Sequence, residues 1–238
     1  MNLNAKINMN IEGIIENGAI TIVAFGDSVT HGMLKGEMNY ETVYHNRLKN
    51  KINAINPMVP VNVINAGIGG ITAKDSLKRM ERDVLCHNPD LVIICFGLND
   101  INGELSEYID SLSEMFKRCK ERDFDVIFLT PNMLNTYVDE NTPPFFKEYA
   151  QKCADIQNNG TMDLYIGEAV KLANSMDVKV CDCYKEWKKL SETQDTTLLL
   201  CNRLNHPTKE MHELFADMLF KTIFGDNEEI MAKYNNAQ

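Results

Sequence analysis

A serine directly follows an apolar run near the beginning of the chain, in the tripeptide Gly26-Asp27-Ser28. The run, residues 20–25, is rich in β-branched side chains and predicts a strand that is buried on both faces. A turn after a strand exposes the serine hydroxyl, and backbone N–H groups beside it can point at a developing oxyanion. Gly, Asp and Ser also favour ordinary turns, so the tripeptide alone does not separate a nucleophile from a turn.

Three further groups of polar and glycine residues follow predicted strands. They are Asn65-Ala-Gly-Ile-Gly-Gly70 after residues 61–64, Gly97-Leu-Asn-Asp100 after residues 91–96, and His206-Pro207 beyond residues 178–182. The glycine-rich group lacks the Gly-Lys-Ser/Thr ending of a phosphate-binding loop. Because the ligand site of a parallel sheet lies outside the carboxyl ends of its strands, we expect these groups to meet Ser28 at one edge.

The elements that would position these residues are visible as an alternation of apolar runs and segments of helical periodicity. Strands are predicted at residues 20–25, 61–64, 91–96, 125–130 and 178–182, and helices at 40–55, 72–85, 105–119, 145–157, 161–175 and 208–224. Residues 132–144 predict a long loop, and residues 184–205 look irregular. Such alternation is typical of an α/β domain with a parallel sheet, here of five strands. We place this single domain at residues 19–225. It lies between a leader at 1–18, which packs loosely or adds an edge segment, and a polar tail at 226–238.

The charge balance argues against one class of partner. Lys and Arg total 24 against 34 Asp and Glu, so the formal net charge is −10. Nucleic-acid binding requires clustered Lys and Arg, and the sequence contains no such cluster.

The longest strongly apolar run, residues 91–96, is far too short to cross a membrane, so we expect no stable membrane insertion.

The cysteines and the first residues predict the compartment. The seven cysteines are scattered, and most stand in apolar contexts, which is typical of reduced thiols in a reducing compartment. Residues 1–18 lack the basic and apolar regions of a signal peptide. Cys181-x-Cys183 has no second Cys/His pair at zinc-ligand spacing. We therefore predict a cytoplasmic protein that needs no metal and no cofactor.

Taken in order, the blocks around Ser28, Gly67–Gly70, Asn99 and His206 resemble those of the GDSL/SGNH hydrolase family, over about residues 20–224. The resemblance implies a three-layer α/β/α sandwich similar to flavodoxin. It also implies an esterase, lipase, thioesterase or carbohydrate deacetylase activity. No block is decisive alone, whereas four blocks in order, each after a predicted strand, are specific.

The resemblance assigns roles residue by residue. Ser28 is the expected nucleophile, and His206 is the base that takes its proton. The expected oxyanion donors are the backbone N–H groups of Ser28 and Gly70 and the side-chain amide of Asn99. Asp27 and Gly69, which adjoin two of these residues, are candidates for contacts with substrate. The other histidines, at positions 31, 45, 87 and 212, are taken as surface or capping residues.

One position departs from the family pattern. The family usually has an acid three residues before the histidine, and here that position is Arg203, which cannot accept a hydrogen bond from an imidazole. The alternatives for orienting His206 are the side chain of Asn202, a backbone carbonyl, or a more distant acid such as Asp195. We favour a neutral orienter and a Ser–His dyad.

The blocks do not specify the substrate or the oligomeric state. We expect a small-molecule or oligosaccharide ester with a short acyl group, and an O-acetylated carbohydrate first. The alternatives are a lysophospholipase, an acyl thioesterase, or a pseudoenzyme that binds acylated sugar without cleaving it. Phe145, Phe146 and Tyr149 could form the wall of an acyl pocket, although their helical spacing makes core packing the commoner explanation.

Overall fold

Five parallel strands form one sheet in the computed structural model, which describes residues 3–236. The strands are β1 (Ile20–Gly26), β2 (Val61–Gly67), β3 (Leu91–Cys95), β4 (Asp125–Leu129) and β5 (Lys179–Cys181). Their order in the sheet is β2-β1-β3-β4-β5. The chain therefore changes direction across the sheet at β1, and the crevice between β1 and β3 is where such a fold places its ligand site. The predicted five-stranded parallel sheet is confirmed.

Helices cover both faces of this sheet. They are α1 (Leu3–Lys6), α2 (Ile11–Asn17), α3 (Ser28–His31), α4 (Tyr44–Ile55), α5 (Ala73–Ser76), α6 (Met80–Asp83), α7 (Leu105–Lys120), α8 (Lys147–Asn158), α9 (Thr161–Ser175), α10 (Cys183–Leu190), α11 (Lys209–Phe224) and α12 (Glu228–Asn236). One layer contains α1, α4, α11 and α12, which pack on one another and on the edge strands β2 and β5. The other contains α7, α8 and α9, which pack together and on β4 and β5. This is the predicted α/β/α sandwich.

The core is built by the strands, as the apolar runs predicted. All five residues of β3 are buried, and β1 is buried at every position except Thr21. Parallel strands with helices on both faces need such continuous apolar runs. The helix predicted over residues 72–85 is broken by 3₁₀ turns at Leu77–Arg79 and Leu85–His87, so only α5 and α6 remain α-helical.

The irregular stretch predicted at residues 184–205 is wrong in its first part, because α10 begins directly after β5. Asp182 caps α10 by accepting a hydrogen bond from the backbone N–H of Lys185. Trp187 is fully buried and Tyr184 is nearly so. Cys183, Tyr184, Trp187 and Leu190 stand at helical spacing, so the signal for this helix was present in the sequence. Burial of the aromatic side chains stabilises it.

The leader and the tail are packed more closely than predicted. Leu3 and Ile7 are buried, and Lys6 bonds to the carboxylate of Asp90 with an N–O distance of 2.8 Å. Residues 228–236 form α12, in which Ile230 is fully buried and Tyr234 nearly so. Loose packing is therefore not found at the beginning of the leader, residues 3–9, whereas α2 buries no residue. The domain limits at residues 19 and 225 stay a prediction, and residues 1–2 and 237–238 lie outside the described part.

Within residues 3–236, no helix combines the length and the apolar character that crossing a membrane requires.

Candidate active site

Ser28 begins the short helix α3, directly after β1. Asp27 is the N-cap of this helix, and its carboxylate accepts a hydrogen bond of 2.9 Å from the backbone N–H of Val29. The hydroxyl oxygen of Ser28 lies 2.8 Å from Nε2 of His206. The two predicted reacting residues are thus in direct hydrogen-bond contact, which is the geometry that general-base activation of a serine requires.

Two glycines allow α3 to lie against the sheet. A Cβ atom at Gly26 would stand 2.2 Å from the hydroxyl of Thr30 and 2.6 Å from the carbonyl oxygen of Cys95. A Cβ atom at Gly67 would stand 2.2 Å from the backbone nitrogen of His31. Because these neighbours are mainly backbone atoms, any side chain at either position would move Ser28 away from its partner.

The loop that carries His206 is shaped by Asn202. Its side-chain oxygen accepts hydrogen bonds from the backbone N–H groups of Leu204, Asn205 and His206, at 3.0 to 3.1 Å. The carbonyl of His206 in turn accepts from the backbone N–H of Cys201 at 2.8 Å. Asn202 therefore fixes the histidine through its backbone and not through its ring.

The imidazole of His206 has a second partner in the loop that follows α3. The nearby backbone carbonyl of Leu34 raises the pKa of the ring, but burial outweighs this effect and lowers the pKa to about 4. Because Nε2 faces Ser28, we infer that Nδ1–H is the donor to this carbonyl. A neutral ring with a proton on Nδ1 leaves Nε2 free to accept the proton of the serine.

The two side chains considered as orienters of the imidazole have other partners. Asn202 bonds to the backbone as described above. The carboxylate of Asp195 accepts hydrogen bonds from the hydroxyl of Tyr137 at 2.7 Å and from the backbone N–H of Thr197 at 3.0 Å. Neither side chain forms a hydrogen bond with the imidazole in the described part of the chain. The geometry favours the third alternative, a backbone carbonyl.

Arg203 occupies the position of the missing acid and points away from the imidazole. It has φ = 57°, in the left-handed region. Its guanidinium donates to the carbonyls of Leu198 and Leu200, and its Nε lies 3.8 Å from a carboxylate oxygen of Asp139. Its contacts hold the loop that precedes His206.

The glycine-rich loop lies beside the nucleophile. A Cβ atom at Gly69 would stand 3.8 Å from Cβ of Ser28, and Gly70 has φ = 75°, which favours glycine. The side-chain amide of Asn99 donates to the carbonyl of Ile71 at 3.1 Å. This bond uses one of the two N–H groups of the amide and leaves the other for a ligand. The loop that contains Gly70 thus lies beside Ser28, and Asn99 bonds to the same loop one residue after Gly70.

Two buried carboxyl groups lie behind the site. Burial, and secondarily the charge of Asp100, raises the pKa of Asp27 to about 7. Burial also raises the pKa of Asp100 to about 6. Asp27 is 1% exposed and faces the interior, so its predicted contact with substrate is replaced by the capping of α3. Asp100 belongs to the block Gly97–Asp100 that the sequence analysis singled out, but nothing in the sequence of this block indicated that its carboxyl group is buried.

Of the four other histidines, two are wrongly predicted as surface or capping residues. His45 and His212 are buried, whereas His31 is half-buried and His87 is exposed. A ring nitrogen of His45 lies 3.0 Å from the carbonyl of Thr30 in α3, and Nδ1 of His212 accepts from the backbone N–H of Tyr44 at 3.3 Å. Burial lowers the pKa of His45 to about 4 and that of His212 to about 3. These neutral rings support the helix that carries Ser28.

Phe145 and Phe146, which follow the long loop at residues 132–144, do not pack in the core as their helical spacing predicted. Phe145 is 78% exposed and Phe146 is 42% exposed. Tyr149 is half-buried, and its hydroxyl accepts a hydrogen bond of 3.4 Å from the side chain of Asn102, three residues after Asn99. Core packing is therefore the wrong explanation for the two phenylalanines.

Within the described residues, no group of three or more His, Cys, Asp or Glu side chains has the geometry of a metal site. The sulfurs of Cys181 and Cys183 lie 4.0 Å apart and are buried.

Comparisons with known proteins agree with this arrangement. A family model described as the GDSL-like lipase/acylhydrolase family matches residues 24–214. An acetylxylan esterase of Geobacillus stearothermophilus is 25% identical over 221 residues, which cover 85% of this chain and 93% of that protein. A shorter match, 36% identical over 81 residues, covers 33% of this chain and 31% of an uncharacterised lipoprotein of Bacillus subtilis.

Solved structures show the same fold. A lipase/acylhydrolase from Enterococcus faecalis is 27% identical with a TM-score of 0.68, and the match covers 87% of this chain and 96% of that chain. The crystal structure of the Geobacillus stearothermophilus acetylxylan esterase has a TM-score of 0.68 at 23% identity, and the match covers 86% and 94% of the two chains. Other structures of that esterase carry substitutions described as catalytic, of a serine, a histidine and an aspartate three positions before the histidine. In this chain the position three before His206 is Arg203.

Proposed function

The chain belongs to the GDSL-like lipase/acylhydrolase family and is a carboxylic ester hydrolase, and we propose that it removes short acyl groups, acetyl first, from a carbohydrate ester. Ser28 and His206 are the reacting residues of the proposal. The observation that carries it is the distance of 2.8 Å between the hydroxyl oxygen of Ser28 and Nε2 of His206.

The first chemical step is attack of the Ser28 hydroxyl oxygen on the ester carbonyl carbon. As the new C–O bond forms, the hydroxyl proton moves to Nε2 of His206, and the carbonyl π electrons move to its oxygen. The pKa of His206, lowered to about 4, keeps the ring unprotonated at neutral pH and therefore able to accept this proton.

The negative oxygen of the tetrahedral intermediate would be held by three donors. These are the backbone N–H groups of Ser28 and Gly70 and the second amide N–H of Asn99, whose first N–H bonds to Ile71. Loss of one such donor typically costs about 3 to 4 kcal/mol of transition-state stabilisation.

The intermediate then collapses and expels the alcohol. The C–O bond to the sugar breaks, and His206 returns its proton to the leaving oxygen. Water attacks the acyl-serine by the same sequence, with His206 again as base, and releases the carboxylic acid and free Ser28.

The proposal includes a dyad in which the carbonyl of Leu34 replaces a carboxylate. A carbonyl can fix the tautomer of the ring, since it accepts the proton on Nδ1. It carries no full charge to stabilise the imidazolium that forms during attack, so the base is weaker than one paired with an acid. Burial and the hydrogen bond to Leu34 act in opposite directions on the pKa, and burial has the larger effect.

The substrate class is supported by the relative of known activity. The acetylxylan esterase, of which this chain covers 93%, is named for removing acetyl groups from a xylan. An oligosaccharide or small-molecule ester of this kind is the proposed substrate. The predicted cytoplasmic location stays a prediction, since the matches include both an enzyme and a lipoprotein.

A series of p-nitrophenyl esters from acetyl to octanoyl tests the acyl preference. We expect kcat/KM to fall steeply with chain length, and acetylated xylo-oligosaccharides to release acetate. A rise toward octanoyl would favour the lysophospholipase or thioesterase alternative. The absence of any hydrolysis by a folded protein would favour the pseudoenzyme.

A further inference from the structure

The glycine-rich loop between β2 and α5 is held by two adjacent residues that follow β3. Asn99 donates its amide to the carbonyl of Ile71 at 3.1 Å. Asp100 accepts the backbone N–H of Ala73 at 2.8 Å, through one carboxylate oxygen. The loop contains Gly69 and Gly70, so its own backbone offers little resistance to other conformations.

We propose that Asp100 is a positioning residue for ester hydrolysis, which fixes the oxyanion-binding N–H of Gly70 by anchoring the loop at Ala73. This inference rests on the proposed function of the site. Asp100 does not touch the substrate in this account. It acts through Ile71 and Thr72, the two residues that separate Gly70 from the anchored N–H of Ala73.

Stability alone does not explain a carboxylate at this place. Asp100 is 5% exposed, and within residues 3–236 its second oxygen is buried without a hydrogen-bond partner. No Lys, Arg or His of the described chain forms an ion pair with it. Burial of a polar oxygen without a partner is unfavourable, and this cost offsets part of what the bond to Ala73 contributes to folding. The raised pKa of the group reflects the same unfavourable burial.

The anchored N–H is a group that would otherwise lack a partner. Ala73 is the first residue of α5, and the first N–H groups of a helix have no partner within the helix. Thr72, the N-cap, satisfies the N–H of Asp75 and not that of Ala73. Asp100 supplies this acceptor from outside α5. The path of the glycine-rich loop before α5 therefore depends on a residue of the block that follows β3.

The placement of Asn99 beside Asp100 links two oxyanion donors. Asn99 offers its own amide N–H, and its neighbour determines the position of the N–H of Gly70. A shift of the block after β3 would therefore move both donors together. Misplacement of a catalytic group by about 1 Å can cost on the order of 100-fold in rate.

Two variants of Asp100 test the inference with p-nitrophenyl acetate as substrate. Asp100→Ala removes the acceptor, and we expect kcat to fall about 30- to 100-fold with KM changed less than about twofold, because the interaction matters in the transition state. Asp100→Asn keeps a side-chain oxygen for Ala73, and we expect kcat within about threefold of wild type.

Asp90→Ala is the matched control. Asp90 also accepts a backbone N–H, that of Thr21 at 2.8 Å, but it precedes β3 at the opposite end of the sheet. It pairs with Lys6 as well, so its loss removes both a hydrogen bond and an ion pair. We expect this variant to lose stability and to keep kcat per folded molecule.

Ala73→Pro keeps the inference testable if Asp100→Ala does not fold. Proline is well tolerated at the first position of a helix, and it removes the N–H that Asp100 accepts. Thr72 already has the extended backbone that a residue before proline requires. We expect the same selective loss of kcat, and no further loss when Asp100→Ala is added.

The outcomes separate this inference from the proposed function. A wild-type protein without esterase activity would overturn both. An active wild type whose kcat is unchanged in Asp100→Ala or in Ala73→Pro would overturn the positioning role alone. The positioning role would also be overturned if Asp90→Ala lost as much kcat as Asp100→Ala, or if kcat of Asp100→Asn were as low as that of Asp100→Ala.

Discussion

Nε2 of His206 lies 2.8 Å from the hydroxyl oxygen of Ser28, and the nearby backbone of Leu34 raises the pKa of the ring. The described chain brings no carboxylate into hydrogen-bond contact with this ring. Histidine and serine therefore form a pair oriented by a neutral group, which determines how the base responds to pH and to mutation.

The acidic limb of the pH–rate profile should lie well below the ordinary range of histidine. Protonated His206 cannot accept the serine proton, so activity is lost as the pH falls through the pKa of the ring. Because burial lowers this pKa to about 4, we expect the midpoint of kcat/KM for p-nitrophenyl acetate near pH 4. Fluorescence of the single, buried Trp187 provides the control that the protein is folded at each pH. A midpoint near 6.5 in folded protein would show that the ring is not held as described.

Asp195→Asn should reduce kcat less than about tenfold, far below the roughly 10⁴-fold loss seen when a true triad acid becomes its amide. The carboxylate of Asp195 bonds to Tyr137 and Thr197 and not to the imidazole. Asn202→Ala is the informative comparison, because three backbone N–H groups would lose their acceptor and the histidine loop would move. If Asp195→Asn were the more damaging of the two, a relocated acid would replace the dyad.

The candidate site could be predicted from the sequence because its signals are local, and those of Ser28 and Asn99 follow strand ends. Ser28, Asn99 and His206 each stand in a short block, and parallel strands bring such blocks to one edge of the sheet. The fold followed from the continuous apolar runs of β1 and β3. These inferences need only periodicity and order along the chain.

The remaining features depend on contacts between distant segments, which periodicity does not encode. The orienting group that we infer is a backbone carbonyl, that of Leu34, and no residue type marks such a group in the sequence. The polar residues His45 and His212 are buried because α4 and α11 pack against each other.

Asn99→Ala should lower kcat for p-nitrophenyl acetate about 100- to 1,000-fold and change KM little, as expected for an oxyanion donor. The substitution removes both the proposed donor and the bond to the carbonyl of Ile71. Asn102→Ala is the comparison, since it removes a nearby amide that bonds to the backbone carbonyl of Asn99 and to Tyr149 but leaves the side chain of Asn99 in place. Steady-state kinetics of the two variants checks this. A rise in KM with unchanged kcat in Asn99→Ala would assign the amide to ground-state binding instead.

Asp27→Asn should change how stability depends on pH. The folded-state pKa of Asp27, about 7, lies above the ordinary 3.8, so the folded chain keeps a proton that the unfolded chain releases between these values. The free energy of unfolding of the wild type should therefore decrease as the pH rises from about 4 to 7. Asparagine caps a helix as well as aspartate does and does not ionise.

Urea unfolding at pH 5 and pH 8 measures this effect. We expect the free energy of unfolding of Asp27→Asn minus that of the wild type to be larger at pH 8 than at pH 5. The exposed Asp125→Asn is the control. An equal difference at both pH values would mean that Asp27 ionises as freely in the folded chain as in the unfolded one.

The central claim is that Ser28 is the nucleophile, and labelling with a fluorophosphonate followed by peptide mass spectrometry tests it most directly. The account predicts one adduct per chain, on Ser28, with loss of esterase activity in proportion to labelling and no adduct on a folded Ser28→Ala variant. An adduct on another serine, or esterase activity that persists in Ser28→Ala, would contradict it.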